Sequence, residues 1–521
     1  MSNRSKGLYV APPPDDSDIP PYLMGEEEGP PEDGYLLKQA VGKHRMTDTG
    51  NGKILAELAG CDLRYCPTAK GDSWMVWDGT HWVPDDLKRA HLLAKMVAKV
   101  RWIEAEHAWE DFEAAREGIA TEADPKELEA AAKKADAWAA RSEMSIGVRG
   151  TVDMALSEPG MGVPADKWDA DPWLFNAKNM AINLETLVGR PHRREDFATK
   201  AGGTDRVFGA NAPLWEKFLN SVFDGKKDII SYVQRWCGYC LTGSTREHIM
   251  LILWGGGSNG KSTFVETIRY VMGSYAVMTR AETLMAKQNQ GIPNDIAALA
   301  GARLVTASET DRGKHLAEGT VKEITGGDTV TARFLNKEFF SFKPLFKLML
   351  TTNNKPTIKG TDDGIWRRIH LLPFTVSFKD KQKDPQLGQK LREEAAGILE
   401  WMLEGCELWR LHGLCPPEDV TKATDSYKKE QDTLAEFIEE CCEKLTSGEI
   451  PKGDLYKAYV KWAEDNGEHP MKQRTLTTAL EERGWLEAKS RKDGRKWEGW
   501  TLKAGALPEP PKQPFRREHW N

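Results

Sequence analysis

Apolar positions along the 521-residue chain change rhythm several times, and each change marks an element. Trp74-Met75-Val76-Trp77-Asp78-Gly79-Thr80-His81-Trp82-Val83 alternates with indoles toward one face, which predicts two short strands around an Asp-Gly turn. From about Asp86 to Met144 the spacing is helical, carried by Trp102, Ala105, Trp109, Phe112 and Ala115 and broken near Pro125. That stripe is expected to be core packing rather than a platform for stacked bases. A second strand region, Trp173 to Leu184, precedes the basic segment Arg190-Pro191-His192-Arg193-Arg194, which suits a solvated turn and a DNA contact equally. Apolar runs at Ile249–Trp254, Arg303–Ala307 and Leu345–Thr351 read as strands, and Phe264–Val271 as an amphipathic helix. After the turn Gly326-Gly327-Asp328, Thr329–Leu335 and Phe339–Phe342 read as a hairpin around Asn336-Lys337-Glu338. Helical patterns at Asp454–Trp462 and Met471–Leu480, then a strand pair from Trp485 to Leu502 with a basic Asp-Gly turn, compose a winged helix.

Composition narrows the possibilities. The longest apolar run falls short of the ~20 residues of a membrane span, and Met1 to Lys6 resembles no secretory signal, so a cytoplasmic protein is expected. Eight cysteines form no metal-binding pattern: Cys237 and Cys240 lie in a helix-like segment with no second pair at zinc spacing, so buried thiols are expected. A net charge of −7 excludes a uniformly basic surface but not cations confined to a channel or wing. Residues 1 to about 50, with Pro12-Pro13-Pro14 and Glu26-Glu27-Glu28, read as an acidic, proline-rich disordered tail.

The chemistry concentrates in Gly255-Gly256-Gly257-Ser258-Asn259-Gly260-Lys261-Ser262-Thr263, between an apolar strand and a helix. Glycines allow a tight loop whose N–H groups cradle phosphate oxygens, and the helix start adds its positive dipole end. Lys261 would reach the β- and γ-phosphates of ATP, and Ser262, or less favourably Thr263, would supply a hydroxyl to Mg²⁺. About fifty residues on, a strand delivers Glu309, the favoured acid for Mg²⁺ and the attacking water, with Asp311 in reserve. Asn353, favoured over Asn354, follows another strand and can bond both the γ-phosphate and the lytic water. Arg367 and Arg368 precede the apolar Ile369–Phe374. Arg367 is the better candidate for an arginine finger offered to a neighbouring subunit, a surface ion pair being the competing reading for either arginine.

Together with Lys322–Arg333 and Thr351–Pro356, these segments resemble a superfamily 3 helicase, and more narrowly the helicase part of phage and plasmid primase-helicases and their poxvirus relatives. The resemblance implies an α/β fold with an AAA+-like parallel sheet, a homohexameric ring with ATP between subunits, and 3′-to-5′ unwinding of DNA. It also implies a hairpin in the central channel, where Lys337, Arg333 and Phe334 would meet the strand, with Lys322 a further candidate. In the winged helix, Lys472, Gln473 and Arg474 would face a groove, and Arg491, Lys492 and Arg495 would meet phosphates. The expected domains are a tail (1–50), a mostly helical accessory domain (51–212), the ATPase (213–415), a linker helix (416–431), the winged helix (432–503) and a tail (504–521). Residues 1 to 50 are too short for a polymerising primase domain, so priming would fall to a separate protein. A DNA-binding initiator or switch governed by ATP, without processive unwinding, is the alternative function.

Overall fold

A single hydroxyl opens an early helix. Thr47 accepts the Gly50 N–H at 3.0 Å and starts Asp48–Ala59, satisfying one of the amides that a helix start leaves unpaired. The structure, a computed structural model, describes residues 37, 39–68, 71–119, 123–286, 294–309, 313–333, 339–358, 360, 363–378, 384–467, 469–490 and 494–508. They form two compact units, Met1–Pro356 with Asp362–Ala423, and Thr357–Thr361 with Thr424–Asn521.

In the first unit that helix is followed by an antiparallel sheet of β1 (Leu63–Thr68), β2 (Gly71–Trp77) and β3 (Trp82–Pro84), the last two turning at Asp78-Gly79 as the indole alternation predicts. Helices Arg89–Arg116, Pro125–Glu143 and Ser145–Ala155 follow, the break falling ahead of Pro125, whose fixed φ suits a first helical turn. The boundary of the expected tail needs correction. Leu37 and Ala40 are buried, and the buried Arg101 donates to the carbonyls of His44 (3.1 Å) and Arg45 (2.9 Å), to Asn51 Oδ1 (2.8 Å) and to Glu104 Oε2 (2.6 Å). A guanidinium is tolerable in a core when its donors are taken up this way, and residues 39–50 are held by it despite their polar composition. A small sheet, β4 (Leu174–Asn176), β5 (Ala181–Asn183) and β6 (Val188–Arg190), completes this part, so the expected helical character is joined by two three-stranded sheets. Arg190 pairs with Asp196 (2.6 Å) and Arg194 with Asp62 (2.5 Å), which commits these two cations of the basic segment to carboxylates.

Helices Pro213–Val222 and Lys227–Leu241 lead into a five-stranded parallel sheet of β7 (Met250–Trp254), β8 (Ala276–Arg280), β9 (Leu304–Glu309), β12 (Lys347–Thr352) and β13 (Ile369–Pro373), in the order β13-β7-β12-β9-β8. Between β9 and β12, β10 (Val330–Arg333) and β11 (Phe339–Phe342) form a separate antiparallel hairpin, as expected. Strands of a covered parallel sheet are buried on both faces, which is why β7 is apolar throughout and β12 carries the buried run Leu348-Met349-Leu350. The chain leaves β7 toward β8 and leaves β12 toward β13 on the opposite side, so the crevice at their carboxyl ends is a topological switch point. Phe175, Ile182 and Leu184 share one core with Trp215, Phe264, Leu372 and Trp409.

Two buried cations close the other end of the sheet. Arg303 donates to Leu241 O at 2.6 Å, while Lys347 donates to Thr242 O and Ser244 O and sits 4.7 Å from the Tyr239 ring. Both complement the negative end of helix Lys227–Leu241. Burial pushes the Lys347 ammonium down to about 7 and raises the thiols of Cys237 and Cys240, both buried in that helix; the expectation of buried thiols holds for these two but not for Cys61 and Cys415, which are exposed.

The second unit packs helices Thr433–Cys441, Lys452–Asp465 and Gln473–Glu482 against β14 (Cys442–Pro451), β15 (Leu486–Ser490) and β16 (Gly494–Leu502), in the order β14-β16-β15. Its core gathers Phe437, Tyr459, Trp462, Leu480, Trp485 and Trp497. The expected helix pair and strand pair are present, and β14 adds a third strand.

Candidate functional site

Strand register sets the site. Thr352 lies opposite both Trp254 and Glu309, and Pro373 lies opposite Trp254, so β7, β9, β12 and β13 end at one level. The glycine loop, Glu309 and Asn353 therefore emerge side by side.

The loop is shaped by close approaches. A Cβ on Gly255 would lie 2.3 Å from Phe374 O and 2.6 Å from Asn259 Nδ2, and one on Gly260, at φ +84°, would lie 2.8 Å from Val222 Cγ2. Gly256 and Gly257 differ: a Cβ on either meets no described atom within 4 Å. The segment after β13 grips the loop from the side. Asn259 Nδ2 donates to Phe374 O (3.2 Å), the Phe374 N–H to Trp254 O (2.7 Å) and the Phe378 N–H to Ser258 O (2.8 Å). Sequence reasoning missed this brace, because backbone donors and acceptors leave no trace in residue identity. It also missed Lys355, whose ammonium lies 4.4 Å from the Trp254 ring beside the loop.

Lys261 is the centre of the arrangement. It opens helix Lys261–Met272, and its buried Nζ, with three protons to donate, lies within hydrogen-bond reach of Gly255 O (2.6 Å), Gly256 O (3.0 Å), Asn259 Oδ1 (3.2 Å) and Asn353 Oδ1 (3.1 Å). Desolvation holds its pKa below the ordinary lysine value. Two residues chosen independently from the sequence, 92 positions apart, are thus in contact, whereas Asn354 bonds back to Thr352 Oγ1 (3.1 Å) through its N–H. Ser262 is exposed in the first helical turn, Thr263 half-buried behind it. Hydroxyl and carboxylate oxygens from Ser262 and Glu309 are the hard donors that Mg²⁺ prefers.

The arginines lie elsewhere. Arg368 O accepts the Met250 N–H at 2.6 Å, which places Arg367 and Arg368 at the amino end of β7, about 17 Å from the loop at ~3.3 Å per strand residue. Arg367 is exposed, while Arg368 Nη1 donates to Gly364 O at 2.6 Å. Neither can reach the loop of its own chain. On the hairpin, Arg333 lies 5.0 Å from the Phe339 ring, and Lys322 is half-buried on helix Glu318–Gly326. In the second unit Lys472, Gln473 and Arg474 are exposed at the start of helix Gln473–Glu482, and Arg495 pairs with Glu487 at 3.4 Å. Asp311, Phe334, Lys337, Arg491 and Lys492 lie outside the described residues.

Comparison with known proteins matches three stretches of the chain. Residues 52–224 match a family described as D5 N terminal like, 253–368 a family of unknown function (DUF5906), and 429–499 a family described as Poxvirus D5 protein-like. A protein named as a helicase, L207/L206 of Acanthamoeba polyphaga mimivirus, is 33% identical over 261 residues, covering 46% of this chain and 27% of the relative. Another named as a helicase, 121R of Invertebrate iridescent virus 3, is 27% identical over 335 residues, covering 57% and 36%. A protein named as a primase, C962R of African swine fever virus (isolate Warthog), is 24% identical over 328 residues, covering 57% and 34%. The chain thus spans about a third of the length of these relatives. Among solved structures, the apo NrS-1 C-terminal region aligns with a TM-score of 0.36 at 13% identity, over 57% of this chain and 77% of that one, a likeness too slight to bear on the fold. Among the described residues, no helix is long and apolar enough to cross a membrane.

Proposed function

We propose, from the matches to the D5 N terminal like and Poxvirus D5 protein-like families and the similarity to proteins named as helicases, that this chain is an ATP-dependent DNA helicase working in the replication of a virus, phage or other mobile element. The contact between Lys261 and Asn353 carries the reading. It joins the loop to the neighbouring strand end at the switch point, with the Glu309 backbone at the same level. Gly256 and Gly257 support it further, since a Cβ at either would meet no described atom, which leaves room among the described residues for a phosphate beside the loop.

In this reading the loop is a P-loop. Lys261 exchanges loop carbonyls for β- and γ-phosphate oxygens, and Asn353 senses the γ-phosphate and orients the attacking water. Ser262 and Glu309 would hold Mg²⁺, which supplies charge neutralisation for the transferred phosphoryl group. Arg367, exposed and remote from its own loop, serves as the finger for the next subunit of a ring, most simply a hexamer. The β10–β11 hairpin contacts a single strand through Arg333, and the second unit, read as a winged helix, presents Lys472 and Arg474 to duplex DNA.

The test is displacement of a labelled strand from a forked duplex with a 3′ tail, using Glu309→Gln as control. ATP-dependent displacement that vanishes in the variant is the expected result. ATP hydrolysis stimulated by DNA without displacement on 3′- or 5′-tailed forks would favour the initiator or switch, for which the exposed Lys472-Gln473-Arg474 edge is the relevant feature.

A further inference from the structure

At the amino end of β7, opposite the glycine loop, three residues seat the turn that leads into the hairpin. His248, two residues ahead of β7, adopts φ +56°, and its Nδ1–H donates to Thr325 O at 2.7 Å. A carbonyl can only accept, so the proton is on Nδ1. Thr325 is buried in the last turn of helix Glu318–Gly326, which runs into Gly326-Gly327-Asp328 and then β10. The turn presses on the same spot. A Cβ on Gly327, itself at φ +80°, would lie 3.3 Å from Thr245 Oγ1 and 3.8 Å from His248 Cε1, and one on Gly326 would lie 3.9 Å from Arg368 Nη2. Thr245 O in turn accepts the His248 N–H at 3.0 Å, and Arg368 O accepts the first N–H of β7.

The hairpin's base is therefore fastened to the foot of the strand whose head carries the nucleotide loop. His248 combines a left-handed backbone conformation, uncommon for a residue with a Cβ, with a ring hydrogen bond to a different element. We propose that His248 is a positioning residue that couples the glycine loop to the hairpin. Movement of β7 during turnover passes through the His248–Thr325 bond to the hairpin, and strand engagement at the hairpin passes back to β7. This inference rests on the helicase reading of both ends, but it names a residue that touches neither ATP nor DNA.

Two substitutions separate the bond from the backbone. Glycine accepts positive φ and deletes the hydrogen bond, whereas asparagine accepts positive φ and offers an amide donor toward Thr325 O. ATP turnover by the full chain is measured with and without a poly-dT oligonucleotide. For His248→Gly, basal kcat and KM are expected to stay within about twofold of the parent while the DNA-stimulated increment falls at least about fivefold, the low end of common coupling factors. His248→Asn is expected to recover most of that increment. Undiminished stimulation in His248→Gly overturns the proposal. So does loss in both variants with equally lowered melting temperatures, which marks a role in folding alone. Unsubstituted protein that hydrolyses ATP without any response to DNA would instead remove the helicase reading beneath it.

Discussion

Lys347 shows how a residue far from the loop can govern the behaviour of the fold. Its ammonium is buried against the end of helix Lys227–Leu241, and its folded pKa of about 7 lies below the ordinary lysine value of 10.5. Below pH 7 folded and unfolded chains both carry the proton, so the cost of burying the charge is present in full. Between about 7 and 10.5 the unfolded chain keeps a proton that the folded chain has released, so stability rises with pH, by at most ~1.4 kcal/mol per unit. Denaturant melts from pH 7 to 9 should show this rise in the parent, and Lys347→Met should flatten it. An unchanged slope would mean that Lys347 keeps an ordinary pKa. His370 is also displaced, to about 4 by burial beside Tyr232, and stays neutral throughout this window.

Among the elements, the glycine loop depends most on particular residues. Gly260→Ala must force a methyl into Val222 and hold alanine at φ +84°, which together should cost about 2–4 kcal/mol and lower the melting temperature. A melting curve that does not move would contradict the close packing described for this position. The loop was legible in the sequence because its needs are local: glycine where a Cβ would collide, lysine at the helix start. The β10–β11 hairpin and the β2–β3 turn were legible for the same reason. Strand order was not, since residues 250–254 and 347–352 pair across nearly a hundred positions and nothing in either run specifies its neighbour. Residues 39–50 were misread because their order comes from Arg101, a polar side chain some fifty positions away that satisfies their carbonyls. The His248–Thr325 bond was equally hidden, since a histidine before a strand has no distinctive pattern.

For the whole molecule, the distance between Arg367 and its own loop makes assembly testable without imaging a ring. Lys261→Ala and Arg367→Ala should each abolish hydrolysis when alone, the second by roughly 10³ to 10⁵ while still binding nucleotide. Mixed, they should regain a fraction of it, because an Arg367→Ala loop can be served by the arginine of a Lys261→Ala neighbour. A mixture as inactive as its parts would place Arg367 outside the finger role. The open space beside Gly256 and Gly257 has a different reach. A methyl there touches no described atom, so an engineer breeding this protein for heat tolerance would see such replacements pass every round. If the loop holds phosphate as proposed, the loss would surface only when the survivors were offered substrate.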